Sequence, residues 1–261
     1  MLGRIAKYID EQLSSKEALV FALIDSGNHP PETAAQIATK AQVAGCDAIL
    51  VGGSTAIDQI ALNRTVQAIK NNVTVPVILF PGNVTGISPN ADAILFTSLL
   101  NSDDPYFIIG AQALGSIMVK EHSLEPLATG YIIAGEGGAA GFVGQARRFP
   151  PNKPELVALY ALAAYYLGMR YVYLEAGSGA ESTIPPNTIR AVRKLFDGVL
   201  IVGGGIKDEK SARVSIESGA DIIVIGNLLE TKQFMPTLKT ITDIAHKRQP
   251  GNKNVRLPTT K

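Results

Sequence analysis

A chain of 261 residues with 46% hydrophobic and 18% charged residues has the size of one α/β barrel; it is too long for a small sandwich and too poor in charge for disorder. Twenty-four lysines and arginines against 23 aspartates and glutamates leave a formal net charge of +1, so no overall field attracts nucleic acid or an anionic membrane, and any anionic ligand must be held locally. Cys46 is the single cysteine, which excludes an intrachain disulfide framework and a four-cysteine metal site; with a charged N-terminus and no apolar run of about 18 residues, it points to a soluble, cytoplasmic protein.

A helix over 2–13 precedes the first strand, ALVFALID (18–25). From there short β-branched runs alternate with segments of helical period, and Gly, Asn and Pro punctuate the joins, as in a parallel sheet with crossover helices. A helix over 31–44 leads to DAILVGG (47–53), and one over 55–71 leads to VPVILFPGN (75–83). Then the pattern breaks. Only VTGISPNA (84–91) separates that strand from DAILFTSLL (92–100), and a segment so short, containing Gly86 and Pro89, cannot make a crossover helix. Alternation resumes with helix 105–120, strand LATGYIIAGE (127–136), a long glycine-rich loop running to 152, helix 153–168 and strand RYVYLEAGSG (170–179). Helix 186–196, strand GVLIVGGGI (198–206), helix 208–218, strand DIIVIGN (221–227) and helix 231–247 follow, and 248–261 reads as a flexible tail. Several strands are apolar nearly throughout, as strands covered on both faces should be. The prediction is one domain, a closed (β/α)8 TIM barrel whose third outer helix is replaced by a loop; a misplaced strand boundary is the competing explanation.

The strand ends carry the chemistry. In such barrels the loops after strands seven and eight commonly present backbone N–H groups to a phosphate, and glycines clear the approach. Val202-Gly203-Gly204-Gly205-Ile206 and Ile225-Gly226-Asn227 stand at those ends and are read as a phosphate site in preference to plain turns. After strand six, Tyr173-Leu174-Glu175-Ala176-Gly177-Ser178-Gly179 sets a carboxylate beside a Gly-Ser-Gly turn. A proton acceptor next to an anion-binding turn suits a phosphorylated alcohol, whereas a structural ion pair of Glu175 is disfavoured by its small apolar neighbours. Strand one ends at Asp25 and strand two at Ser54, adjacent oxygens that suit a Mg2+ shared with substrate phosphates. Taken alone, a turn cap at Asp25 and a helix N-cap at Ser54 explain those two residues better.

Together YLEAGSG at 173–179, VGGGI at 202–206, IGN at 225–227, LID at 23–25 and VGGS at 51–54 resemble the geranylgeranylglyceryl phosphate synthase family, over about residues 18–230. YLEAGSG carries most of the specificity. The resemblance implies a barrel lacking its third helix, as the 84–91 linker requires. It implies an enzyme joining geranylgeranyl diphosphate to the primary hydroxyl of sn-glycerol 1-phosphate, forming the first ether bond of archaeal lipids and releasing diphosphate. The same resemblance implies Mg2+ at Asp25 and Ser54. It sets glycerol phosphate along Tyr173, Leu174, Glu175, Ala176, Gly177, Ser178 and Gly179, at Gly204 and Gly205, and at Gly226 and Asn227. Members of the family continue strand one with Pro-Asp-Lys, whereas this chain has Ser26-Gly27-Asn28 and then His29. A second carboxylate and a lysine are missing, and His29 is either a stand-in for that lysine or a solvated loop histidine.

Within that reading Glu175 is expected to accept the proton of the attacking hydroxyl as the allylic C1–O bond loosens. Arg147 and Arg148, near the end of the loop 135–152, are expected to meet the diphosphate as the loop closes, with solvated arginines as the alternative. The bare wall at 84–91 should form an apolar channel for the prenyl tail, worth about 0.8 kcal/mol per buried CH2. Helix 153–168, apolar around most of its circumference, predicts a homo-oligomer, a dimer or a hexamer, through Tyr160, Tyr165 and Tyr166 unless neighbouring structure covers them. A transient membrane contact would deliver the lipid product. Since fold does not determine chemistry, three alternatives stay open: heptaprenyl diphosphate as substrate, a phosphosugar isomerase or lyase, and a silent phosphate-binding barrel acting as an assembly partner.

Overall fold

The computed structural model describes residues 2–53 and 58–247. Its eight parallel strands pair in sequence order and close on themselves: β1 Leu19–Asp25, β2 Ala48–Gly53, β3 Val77–Pro81, β4 Ala93–Leu99, β5 Glu125–Ile133, β6 Tyr171–Glu175, β7 Val199–Gly203 and β8 Ile222–Ile225. The two-residue period of a strand splits each apolar run between two cores. Val20, Ala22 and Ile24 of β1, and Val172 and Leu174 of β6, pack against the surrounding helices. Leu19 and Phe21, with Tyr171 and Tyr173, fill the barrel itself.

The helices are α1 Arg4–Ser15, α2 Pro31–Val43, α3 Gln59–Lys70, α4 Ala111–Glu121, α5 Gly138–Val143, α6 Pro154–Tyr166, α7 Pro186–Leu195, α8 Glu209–Glu217 and α9 Phe234–His246. A π-helical turn, Tyr106–Gly110, leads into α4. The amphipathic α1 plugs the barrel's N-terminal end with Ile5, Ala6, Ile9 and Leu13. Its unpaired N-terminal N–H groups at Ile5 and Ala6 donate to the Glu125 carboxylate at 2.7 and 2.8 Å. This explains why β5 starts two residues before the run predicted for it, 127–136.

Between β3 and β4 the chain makes one 3-10 turn, Val84–Gly86, where an outer helix would stand. Asn83 caps it: its Oδ1 accepts from the Val84 N–H at 2.7 Å and from the Tyr106 hydroxyl at 2.7 Å. The bare wall predicted from the linker is therefore present, and Phe96 and Thr97 on β4 stay only half-buried. Inside the loop 135–152 the sequence reading missed a helix. Three glycines in GGAAG gave no reason to expect one, yet α5 forms there, its chain entry turned by Gly137 at φ +86°.

On α6, Val157, Ala158, Ala161 and Ala164 face the barrel. Two of the three tyrosines predicted as an interface are engaged within the chain: Tyr160 packs edge-on against Phe149 at 5.2 Å and Tyr165 against Phe196 at 6.1 Å. Tyr166 is exposed, with Leu159 and Leu167 beside it. Among the described residues no helix is long and apolar enough to cross a membrane. Ser54 and the tail predicted over 248–261 lie outside the described residues.

Candidate active site

A cavity of ≈ 480 Å3 opens at the C-terminal ends of the strands. Asp25, Tyr173, Glu175, Ser178, Gly179, Gly204, Gly205, Gly226 and Asn227 line it, so one site gathers most of the residues singled out in the sequence. Leu174 and Ala176 differ: strand parity turns their side chains into the layer under the helices, leaving only their backbone near the mouth. Gly177 contributes through its N–H, which donates to Glu175 Oε1 at 2.6 Å.

Glu175 ends β6 and is buried at 6% exposure, with Tyr131 donating to its Oε2 at 3.3 Å. No lysine or arginine pairs with it among the described residues, so the ion-pair alternative does not hold. Burial raises its pKa above the usual carboxylate range, opposed by the Gly177 N–H and the Tyr131 and Tyr173 hydroxyls. The same desolvation, reinforced by the nearby Glu175 charge, pushes both tyrosines well above the ordinary phenol value, so they are donors and not anions at neutral pH. Phe80 stacks on Tyr173 with ring centres 5.0 Å apart and meets Tyr131 edge-on at 5.5 Å, which holds the hydroxyls in place around the carboxylate.

The triple glycine has a reason besides phosphate approach. A Cβ at Gly203 would collide with the Tyr173 hydroxyl, and one at Gly204, whose φ is +83°, would lie 2.7 Å from Glu175 Oε1. Glycine therefore lets the β7 end close on the β6 acid. The β6 and β8 ends are joined directly, because the Gly179 N–H donates to Asn227 Oδ1 at 3.2 Å.

Asp25 stands at the end of β1, three strands round the barrel from β6. The Gly27 N–H donates to its Oδ1 at 2.8 Å, and the Ser26 N–H ties the same turn to the Gly52 carbonyl at 2.8 Å. Among the described residues no three His, Cys, Asp or Glu side chains gather as a metal cluster. A single carboxylate on an open lip suits Mg2+, which keeps waters and shares substrate phosphates, and does not suit an all-protein cage. His29 is not a solvated loop histidine: its Nε2 lies 2.8 Å from Glu230 Oε2, linking the β1 and β8 loops.

From this polar mouth the cavity continues over the outer wall of β3 and β4, where a 3-10 turn stands in place of the crossover helix. Val84, Ile87, Ile94, Phe96, Phe107 and Gly115 line it there, an apolar groove on the side that lacks its helix. Asn83, Thr97 and Gln112 are the polar residues on this side, and the Gln112 amide N–H groups are taken by the carbonyls of Thr97 and Phe107. Arg147 and Arg148 do not line this cavity. Arg147 pairs with Asp103 at 2.9 Å, both well exposed, and its backbone N–H donates to the Asn101 carbonyl at 2.7 Å. In this conformation neither arginine faces the cavity, and the Arg147 guanidinium is held by Asp103. Ala140, Val143 and Gly144 from the same loop do reach the cavity.

Sequence reasoning missed Tyr131, Phe80, Lys207 and Glu230. Tyr131 had a usable signal: it pairs in register with Tyr173, so both point inward in the same layer of the barrel. Phe80 depends on closure of the barrel, which brings β3 opposite β6, whereas Lys207 and Glu230 stand just beyond the β7 and β8 ends in the sequence.

A sequence profile of the PcrB family matches residues 12–245. The geranylgeranylglyceryl phosphate synthase of Nitrosopumilus maritimus is 52% identical over 240 residues, 92% of this chain and 96% of that protein. The enzyme of the same name from Cenarchaeum symbiosum is 55% identical over 229 residues, covering 88% and 93%. Among solved structures, (S)-3-O-geranylgeranylglyceryl phosphate synthase from Thermoplasma acidophilum, in complex with its substrate sn-glycerol-1-phosphate, superposes with a TM-score of 0.89 at 36% identity, covering 94% of this chain and 99% of that one.

Proposed function

The chain belongs to the PcrB family, and from that premise we propose that it is a geranylgeranylglyceryl phosphate synthase, a transferase that attaches a geranylgeranyl chain to the primary hydroxyl of sn-glycerol 1-phosphate. The observation that carries this reading is the union of two chemistries in one cavity: a buried acid among glycine turns at the strand ends, and an apolar groove leading away over the missing helix. A phosphosugar isomerase needs the first and has no use for the second. The relatives' names favour a geranylgeranyl chain over a heptaprenyl one.

In the proposed reaction the glycerol phosphate lies against the β6, β7 and β8 ends, with its phosphate at the backbone of Gly177, Ser178, Gly179, Gly204, Gly205, Gly226 and Asn227. The free hydroxyl faces Glu175. As the allylic C1–O bond to diphosphate breaks and the new C1–O ether bond forms, the hydroxyl proton passes to the Glu175 carboxylate. A carboxylate is a weak base, and it suffices because positive charge building at C1 acidifies the hydroxyl before the proton moves. Tyr131 and Tyr173 hold the acceptor oxygens in place, and the groove keeps water from the allylic carbon.

Asp25 is the proposed holder of Mg2+, with Ser54, the residue that follows β2 in the sequence, as its second ligand. Bound there, the ion would withdraw charge from the leaving diphosphate. We further propose that the enzyme works in the cytoplasm as a homo-oligomer, supported by the exposed Leu159, Tyr166 and Leu167, and that it meets the membrane only transiently to release product. The test is direct. Purified full chain, Mg2+, glycerol 1-phosphate and labelled geranylgeranyl or heptaprenyl diphosphate should yield a butanol-extractable product, with geranylgeranyl diphosphate preferred. Absence of product with both diphosphates would sink the reading.

A further inference from the structure

The cavity has an unusual balance of charge for one that takes two anions. Four carboxylates line it, Asp25, Glu175, Glu181 and Glu230, and among the described lining residues the one Lys or Arg is Lys207. Both arginines expected to supply positive charge lie elsewhere. Backbone N–H groups orient a phosphate but carry no net charge, so a dianion among these acids needs a cation.

Lys207 is two residues beyond Gly205, between the triple-glycine turn and α8. Its root is fixed: the Lys207 N–H donates to Ser211 Oγ at 3.2 Å, within the same Asp208–Ser211 capping box that starts α8. Its Nζ reaches across to the β6–α7 loop and donates to the Glu181 carbonyl at 3.2 Å. The side chain thus spans the lip between the β7 and β6 loops, beside Ser178, Gly179, Gly204 and Gly205. Its partner there is a neutral carbonyl. Hydrogen bonds between an ammonium and a phosphate oxygen are roughly twice as strong as neutral ones, so an arriving dianion competes well for Nζ.

We propose that Lys207 is the cation that binds the phosphate of the glycerol phosphate substrate, its Nζ leaving the Glu181 carbonyl for a phosphate oxygen. This rests on the reading of the cavity as a phosphate-binding site and adds the residue that supplies the charge.

The test uses the full chain with Lys207→Gln and Lys207→Arg. Lys207→Gln should raise the KM for glycerol 1-phosphate about tenfold, the scale of one charge-assisted bond, while the KM for prenyl diphosphate stays within about twofold. Inorganic phosphate, measured by calorimetry without any turnover, should bind correspondingly more weakly. Its affinity for the wild type should fall more steeply with salt than its affinity for the variant. Lys207→Arg should recover most of the loss; a purely structural strap to Glu181 would leave the salt dependence of phosphate binding the same in Lys207→Gln as in the wild type. Unchanged phosphate affinity in Lys207→Gln would overturn the proposal, and so would a rise confined to the KM of prenyl diphosphate. If the wild type forms no prenyl product yet binds phosphate through Lys207, the synthase reading fails and this assignment stands.

Discussion

Glu175 costs the fold something, and that cost is a measure of its use. Its carboxyl is buried with one N–H and two hydroxyls as partners, and burial holds its pKa above the ordinary carboxylate value. A folded pKa above the unfolded one means that the folded state favours the proton. The associated stability is present below the unfolded pKa and is lost as pH rises through the folded value. At neutral pH Glu175→Gln should therefore be more stable than the wild type, by about 1 kcal/mol in chemical denaturation. Its kcat with saturating glycerol 1-phosphate should fall on the order of 100-fold, because the amide keeps shape but cannot take a proton. A variant with near-wild-type kcat would leave Glu175 a positioning role only. In the wild type, the acid limb of kcat/KM should lie at higher pH than an exposed carboxylate would give. Asp25→Asn separates the other half of the chemistry: kcat should drop on the order of 100-fold while calorimetric affinity for glycerol 1-phosphate holds, since the glycine turns bind that substrate independently. Equal loss of both would make Asp25 structural.

At the level of elements, the missing helix and the groove explain one another. A crossover helix after β3 would bury Phe96 and Thr97; without it, Val84, Ile87 and Gly115 frame an apolar channel. Gly115 keeps this stretch open, because a Cβ there would already lie 3.0 Å from Ile87 Cδ1. Gly115→Phe should obstruct the channel. At about 0.8 kcal/mol per carbon denied burial, displacing the five carbons of one isoprene unit costs about 4 kcal/mol, roughly three orders of magnitude in affinity. The KM for geranylgeranyl diphosphate should rise accordingly, and the preference should move toward shorter prenyl diphosphates; an unchanged chain-length profile would show that the tail runs elsewhere.

Across the whole molecule, the two ends of the barrel carry different burdens. The N-terminal end is closed by α1 and by ion pairs that serve stability. Asp47 is held below the usual carboxylate range by His246, Lys16 and the Val20 N–H despite its burial, and Asp92 by Lys70, Val77 and Arg4. The C-terminal end leaves its acid without a cationic partner among the described residues and its groove open, as catalysis requires. On the outer surface α6 and the residue that caps it leave Leu159, Tyr166 and Leu167 exposed. Light scattering of the full chain at micromolar concentration should give a multiple of the subunit mass, and Tyr166→Ser with Leu167→Ser should shift it toward the monomer. A monomeric wild type would end that proposal.

What the sequence determined by itself was everything local or periodic. Alternating apolar runs and helical repeats marked eight strands and their helices, and the short 84–91 linker ruled out the third outer helix, because these depend on spacing along the chain. YLEAGSG and the glycine ends located the mouth for the same reason. The short helix α5 escaped because its glycine-rich sequence has little helical propensity, and the loop around it supplies the support. Only the tertiary structure decided which residues share the cavity. Barrel closure sets Phe80 against Tyr173 and Tyr131 against Glu175, turns Leu174 and Ala176 outward, draws Arg147 to Asp103 and leaves Lys207 as the cation at the lip. Those outcomes follow from strand stagger around a closed sheet and from competition among charges distant in sequence, and neither is encoded in the spacing of any one segment.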